Sequence, residues 1–446
     1  MAPVIDSRLC VTCSAPTNIA VIKYWGKDSI ALNTPINSSA SVTLCQQDDL
    51  RAITTVAASK DFKKDQLWLN GTEEDVSKNK RFQAVIRQVR ALATEKRDEA
   101  TGEVVVAAGD WDAYGVRIAS RNTFPTAAGL ASSAAGLACL TFSLAKLFNA
   151  KESFEGELSA IARQGSGSAC RSLYGGFVKW QKGEREDARD SIAVQVADEH
   201  HWPEMRALIL VVSADKKDTS STSGEQPTPR EGGMSTSVQT SPLLGFRAKE
   251  VVEPRLAEIE KAYLDKDFAT FGKITMQDSN QFHATCLDTF PPIFYMNDVS
   301  RSVIRIVHAY NAFHGEIRAA YTFDAGPNAV IYHLAGDSSE LLALLLRFYP
   351  APSEGSDPPA TIFDDGNSSP YVNSAAALQA AREADAALPE GLYEACLKTG
   401  RTPTAGEVKM MYCTKAGGSP RVLGDEERML DLETGDPAFP LVNGNS

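Results

Sequence analysis

No apolar run in this chain approaches the roughly 20 residues that a membrane-spanning helix requires. Nothing in Met1–Cys10 joins a basic segment to an apolar stretch, which argues against a secretory leader. Val442–Ser446 carries neither a peroxisomal nor a lipidation signal. The chain also lacks a basic surplus: 45 Lys and Arg against 57 Asp and Glu leave a net charge of -12. General nucleic-acid binding needs a basic face that displaces counterions, and this balance argues against it. A small polyanion remains admissible wherever basic side chains gather locally. Of the eight cysteines only Cys10 and Cys13 are close, and no second pair or histidine follows at ligand spacing. The pair therefore builds neither a zinc site nor a redox motif. It sits in a strand-like run, where a thiol serves as a small apolar group, and reduced thiols fit a cytosolic protein. No internal repeat occurs, and no long segment is poor enough in apolar residues for disorder to be the default reading.

What is present suits a large folded chain. With 446 residues, 43% of them hydrophobic, there is too much chain for one ordinary core and enough for two domains. A composition shift at Asp198–Pro203 places the boundary, giving domains of residues 1–200 and 201–446. In the first, Leu9–Ile22, Ala40–Leu44 and Val116–Phe124 read as strands. Asn79–Thr94 reads as an amphipathic helix with Phe82, Val85, Ile86, Val89 and Leu92 at helical spacing. Another helix carries Leu137, Leu140, Leu144, Leu147 and Phe148 on one side. In the second, Ala207–Ser213 is an apolar strand, and Asp218–Gln239, rich in Ser, Thr, Gly and Pro, reads as a mobile loop. Glu250–Asn280 reads as helical, Glu316–Leu334 as strand, turn, strand, Pro350–Pro359 as a loop and Ala375–Leu388 as a helix. The final residues are polar and expected to fray.

Several segments carry chemistry. The loop Pro125-Thr126-Ala127-Ala128-Gly129-Leu130-Ala131-Ser132-Ser133 joins a strand to a helix. Small residues let backbone N–H groups approach an anion, and the helix start adds free N–H groups, a positive dipole end and two serine hydroxyls. No Gly-Lys-Ser/Thr follows, so this is not a Walker loop; a tight connection with a serine cap is the alternative. Gly165-Ser166-Gly167-Ser168-Ala169-Cys170-Arg171-Ser172 resembles a linker in composition, yet it ends in an arginine whose fork suits phosphate or carboxylate. Asn18–Lys27 places Lys23 and Lys27 around Tyr24, Trp25 and Gly26; solvated lysines at a strand end are the alternative. Asp324, at the end of an apolar strand in Tyr321–Asn328, is either an acid aimed at a site or a turn former.

Taken together, these segments resemble the mevalonate diphosphate decarboxylase family within the GHMP-type small-molecule kinases, whose phosphate loop Pro125–Ala134 is similar to. Phe282–Asp288 and Pro291–Asn297 match as well, and the similarity runs from about Cys13 to Leu346. The resemblance implies a two-domain α+β fold: an N-terminal α/β domain with the phosphate loop, a C-terminal α+β sandwich, and an active site in the interdomain cleft. It further implies a cytoplasmic homodimer that uses ATP and magnesium (Mg2+) to convert mevalonate diphosphate into isopentenyl diphosphate, carbon dioxide, ADP and phosphate. By the same resemblance, Asn18, Tyr24, Trp25, Gly26, Lys27, Arg81, Ser166, Gly167, Ser168, Ala169, Cys170, Arg171 and Thr222 form the substrate site. Ala128, Gly129, Leu130, Ala131, Ser132 and Ser133 cradle the nucleotide phosphates. Lys23, Ser133, Arg171 and Asp324 are the catalytic set, and no residue is assigned as a metal ligand.

Glu225–Gly233 departs from the pattern as an apparent insertion beside Thr222, and the chain diverges after Phe348. Two other functions stay open at this stage. One is a kinase of the same fold that phosphorylates an alcohol and stops, which product analysis separates. The other is a binding protein of this fold without catalysis, against which Lys23, Ser133, Arg171 and Asp324 argue together.

Overall fold

A computed structural model describes residues 4–124, 132–212, 232–351 and 371–439. The first half is built on a six-stranded sheet. Its order is Arg421–Val422, Cys10–Pro16, Arg51–Ser59, Gly115–Asn122, Gln66–Leu69 and Thr72–Glu74. Gly115–Asn122 runs parallel to Gln66–Leu69 and antiparallel to Arg51–Ser59. Alternate residues of Arg51–Ser59 serve opposite faces, as a strand dictates. Ala52, Val56 and Ala58 meet the helices Lys80–Ala91, Ser132–Leu147 and Glu157–Gly165, while Ile53 and Ala57 meet Trp68, Met429 and Leu430.

Asn79 starts the first of these helices by accepting from the Arg81 and Phe82 N–H groups at 3.2 and 3.4 Å, an N-cap that satisfies otherwise orphaned donors. Val85, Ile86 and Val89 then form its buried stripe.

A four-stranded sheet bridges to the second half. It runs Ala193–Ala197, Phe177–Trp180, Ser39–Thr43, Asn18–Ile22, and Ile19, Val21, Val42 and Phe177 share one core with Ile209, Leu210, Phe271 and Tyr332. The latter belong to a second four-stranded sheet, Ala319–Phe323, Ala329–Leu334, Met205–Val211, Met410–Lys415, and to the helix Phe268–Asp288 packed on it. The expected boundary falls between the strands Ala193–Ala197 and Met205–Val211. Beyond Lys415 the chain recrosses: Val422 and Arg421 pair with Cys13 and Ser14, and Met429 and Leu430 are buried, while residues 440–446, on which the fraying expectation falls, lie outside the described residues.

Most expected elements recur with shifted ends. Leu9–Ile22 is two strands interrupted at Thr17. Glu250–Asn280 divides into Val252–Asp265 and Phe268–Asp288, because Lys266 takes a left-handed turn (φ +56°) and Asp267 caps Thr270 at 3.0 Å. One expectation is corrected: the end of the Asp218–Gln239 loop is the helix Gly233–Thr240. Its composition is polar, but Met234 and Ser237 are buried against Trp25, and tertiary packing overrides weak propensity. The rest of that loop, Thr222, most of the insertion at Glu225–Gly233 and Pro125–Ala131 lie outside the described residues. So does nearly all of Pro350–Pro359. All eight cysteines are free, and burial pushes the Cys10 and Cys13 thiols up to about 11.

Candidate active site

The strand Asn18–Ile22 ends where the two halves meet, and Lys23 turns inward there. Its ammonium donates to the Ala20 carbonyl at 2.6 Å and to Asp324 Oδ1 at 2.5 Å. Asp324 follows the strand Ala319–Phe323 of the second half. Lys23 is buried, whereas the Asp324 side chain is 29% exposed, so part of it stays accessible. Burial pushes the Lys23 ammonium below its usual range, against the opposing pull of the Asp324 carboxylate. A solvated lysine and a turn-forming aspartate would not meet this way. The pair lies 301 residues apart in sequence.

The segment 165–172 is no linker. It is a buried helical turn, Gly167–Leu173, entered through Ser166. Asn18 organises it, donating to the Ser172 hydroxyl at 2.8 Å and the Ser168 carbonyl at 3.1 Å. Arg171 is fully enclosed, and burial pushes its guanidinium downward. Its Nε donates to Asn18 Oδ1 at 3.2 Å and Ser41 Oγ at 3.0 Å; one terminal nitrogen donates to Ser39 Oγ at 2.6 Å. The other terminal nitrogen has no partner among the described residues, which leaves the far side of the fork for a ligand. Sequence reasoning missed Ser39 and Ser41. Their signal was the alternation Ser39-Ala40-Ser41-Val42-Thr43-Leu44, whose polar face lines the site.

Tyr24 packs edge-on against Trp180 at 4.7 Å. A Cβ on Gly167 would sit 2.7 Å from the Tyr24 hydroxyl, so only glycine allows that approach. Burial pushes the Tyr24 phenol up to about 12. Trp25 is buried and donates from its indole to Ser237 at 2.8 Å. Gly26 takes φ +89°, which favours glycine. Lys27 is half-buried, and burial together with the neighbouring Arg81 charge pushes it down to about 8. Lys27 and Arg81 thus form one basic corner. Ala169 and Cys170 turn their side chains into the core, so only their backbone faces the turn. Ser168 is half-buried.

Ser133 opens the helix Ser132–Leu147 and is exposed; its hydroxyl lies 3.4 Å from that of Ser166, joining the two loops. A cavity of about 200 Å³ adjoins it, walled by Leu69, Phe82, Ile118 and Leu137 with polar edges at Ser120 and Asn122. Apolar walls with a few polar groups suit a purine base beside its phosphates. This cavity was not legible in the sequence. Among the described residues no group of three His, Cys, Asp or Glu forms a metal-binding cluster. Magnesium is commonly held by one or two carboxylates together with phosphate oxygens and water, and the partly exposed Asp324 is a carboxylate able to serve in such a set.

Comparisons with known proteins concern the chain as a whole. Residues 15–193 match the family model of the diphosphomevalonate decarboxylase-like N-terminal domain. Residues 207–423 match that of the mevalonate 5-diphosphate decarboxylase C-terminal domain. The diphosphomevalonate decarboxylase of Rattus norvegicus is 49% identical over 431 residues, covering 96% of this chain and 97% of that protein. The mevalonate diphosphate decarboxylase structure from Trypanosoma brucei is 34% identical with a TM-score of 0.78, covering 95% of this chain and 100% of its own. A structure described as MDDEF in complex with MVAPP, AMPPCP and magnesium is 26% identical with a TM-score of 0.63, covering 93% and 98%.

Proposed function

The chain belongs to the diphosphomevalonate decarboxylase family, and from that membership and the cleft geometry we propose that it catalyses the ATP-dependent decarboxylation of mevalonate 5-diphosphate to isopentenyl diphosphate. The observation that carries the reading is the Lys23–Asp324 ion pair across the junction of the two halves, with Arg171 near enough for its charge to act on both.

Lys23, Lys27, Arg81 and Arg171 gather positive charge locally in an acidic protein. Without them, repulsion between two phosphate chains would oppose binding. Tyr24 to Lys27, Arg81 and the turn 166–171 hold the substrate diphosphate, with Thr222 assigned beside them. Ala128–Ser133 hold the nucleotide phosphates. Magnesium, when bound, supplies charge neutralisation on those phosphates.

The acceptor is a tertiary alcohol, too weak an acid to be deprotonated in advance. Asp324 orients that hydroxyl and takes the proton late, as the oxygen bonds to phosphorus and ADP leaves. Ser133 donates to the transferred group as its charge shifts. The carbon–oxygen bond then breaks and phosphate departs. The electrons of the carbon–carboxylate bond become the alkene, and carbon dioxide leaves. Arg171 aligns that breaking bond; a strong ion pair would otherwise favour the ground state over the neutral gas.

The same reading makes the protein a cytoplasmic homodimer, with residues 1–200 and 201–446 as its domains and residues after 420 recrossing onto the first. Eight free thiols support a reducing compartment, and no helix among the described residues is long and apolar enough to cross a membrane.

Asp324→Asn tests the chemistry. A turn former tolerates this change, because asparagine makes the same local bonds; a base does not. The variant is expected to fold and bind both substrates, with turnover down by roughly 100- to 10,000-fold. Steady-state turnover beside a direct binding assay decides, and a variant retaining more than about a tenth of normal turnover contradicts the assignment.

A further inference from the structure

Two consecutive residues of the helix Phe268–Asp288 reach Lys23 and the residue before Asp324. Asp278 has no exposed side-chain surface. Its Oδ2 accepts the Lys23 backbone N–H at 2.7 Å. Arg247, equally buried, donates to both Asp278 oxygens at 2.8 Å and to the Lys23 carbonyl at 2.8 Å. Asn37 donates to the same carbonyl at 3.1 Å. The next residue, Ser279, accepts the Phe323 N–H at 3.0 Å, one position before Asp324. The backbone leading into Asp324 and both backbone polar groups of Lys23 are therefore held by side chains.

Lys23 lies just past the end of its strand, where the ladder no longer fixes the chain. A strand end at a cleft would ordinarily be completed by water. Here it is completed by a buried ionic cluster, to which Arg255 adds a contact at 3.2 Å. Such clusters are costly to desolvate, and an apolar contact would stabilise the fold as well or better. Their gain is directional. The helix is a rigid ruler, and its two adjacent residues fix points on separate sheets.

We propose that Asp278 and Ser279 are positioning residues that set the separation of the Lys23 ammonium and the Asp324 carboxylate. This rests on the catalytic reading of Asp324. Their role is in turnover rather than affinity, because neither faces the substrate segments Tyr24–Lys27 or 166–171. One or two hydrogen bonds lost behind the pair would let its members drift by a fraction of an ångström, enough to matter at a reacting centre.

The test uses the full chain with Ser279→Ala, Asp324→Asn and the double variant, turnover being counted per folded active site. Ser279→Ala is expected to lower kcat by about 10- to 100-fold with both KM values held within about threefold. In the Asp324→Asn background the same change should cost little more, because residues acting through one group are non-additive. A purely structural serine would lower the folded fraction alone, and its loss would multiply in the double variant. Normal kcat in Ser279→Ala, or losses that multiply, overturns the positioning role. Turnover retained by Asp324→Asn alone overturns the catalytic reading, and the positioning role with it. Asp278→Asn follows the same pattern if it yields soluble protein; Ser279→Ala decides alone if it does not.

Discussion

Lys27 ties the charge of the binding corner to pH. Burial and Arg81 hold its ammonium down to about 8, so the free protein loses this charge just above neutrality. A bound diphosphate supplies opposite charge and favours the protonated form. Above pH 8, binding must therefore take up a proton. KM for mevalonate diphosphate is expected to be flat below about pH 7 and to rise by roughly tenfold per unit well above 8. Lys27→Met should show a raised KM without that inflection. A wild-type KM that stays flat to about pH 9.5 would contradict the assignment, since a full unit or more of the linkage would then be missing.

Among the helices, Lys80–Ala91 shows how a local signal supports the site. Asn79 caps it, and Arg81 stands in its first turn. Asn79→Ala is expected to cost about 1 kcal/mol in chemical denaturation. It should also raise KM for the diphosphate substrate, because the turn that carries Arg81 frays. Unchanged stability would show that the cap contributes nothing.

Of the signals of this local kind, the apolar stripe and the strand-turn-strand around Asp324 were read from the sequence, whereas the Asn79 cap and the alternation in Ser39–Thr43 were present but passed over. What local pattern left open was settled by distance. Gly165–Ser172 stayed ambiguous because small residues serve both linkers and close approaches, and distant partners such as Tyr24 against Gly167 and Asn18 on Ser172 separate the two. The Arg247–Asp278 cluster was invisible because its reach to Lys23 spans 255 residues at Asp278. The helix Gly233–Thr240 was misread because its apolar partners come from Trp25 and Tyr295, far away in the chain.

At the scale of the molecule, the two halves are not independent. Ile19 and Val42 share a core with Ile209 and Phe271, and Met429 and Leu430 close the outer face of the first sheet. Leu430 is 1% exposed. Leu430→Ala is expected to destabilise by about 2–4 kcal/mol and to lower Tm, with kcat per folded molecule unchanged. Little change in Tm would mean that the C-terminal return is not part of the core. The long sequence distance between Cys10–Pro16 and Arg421–Val422 also explains why the recrossing left no sign in the sequence. Arg421–Val422 is a strand of two residues, too short for any periodic pattern.

The proposal that the molecule brings a phosphoryl-transfer site and a carboxylate-aligning arginine together in one reaction is open to a direct measurement. Purified protein is incubated with ATP, magnesium and mevalonate diphosphate labelled at the carboxyl carbon, and released gas is trapped while ADP and phosphate are followed. The account predicts labelled carbon dioxide, ADP and phosphate in equal amounts, with no release when ATP is withheld. ADP formation with the label retained in a phosphorylated product would contradict it, and would make the protein a kinase of the same fold.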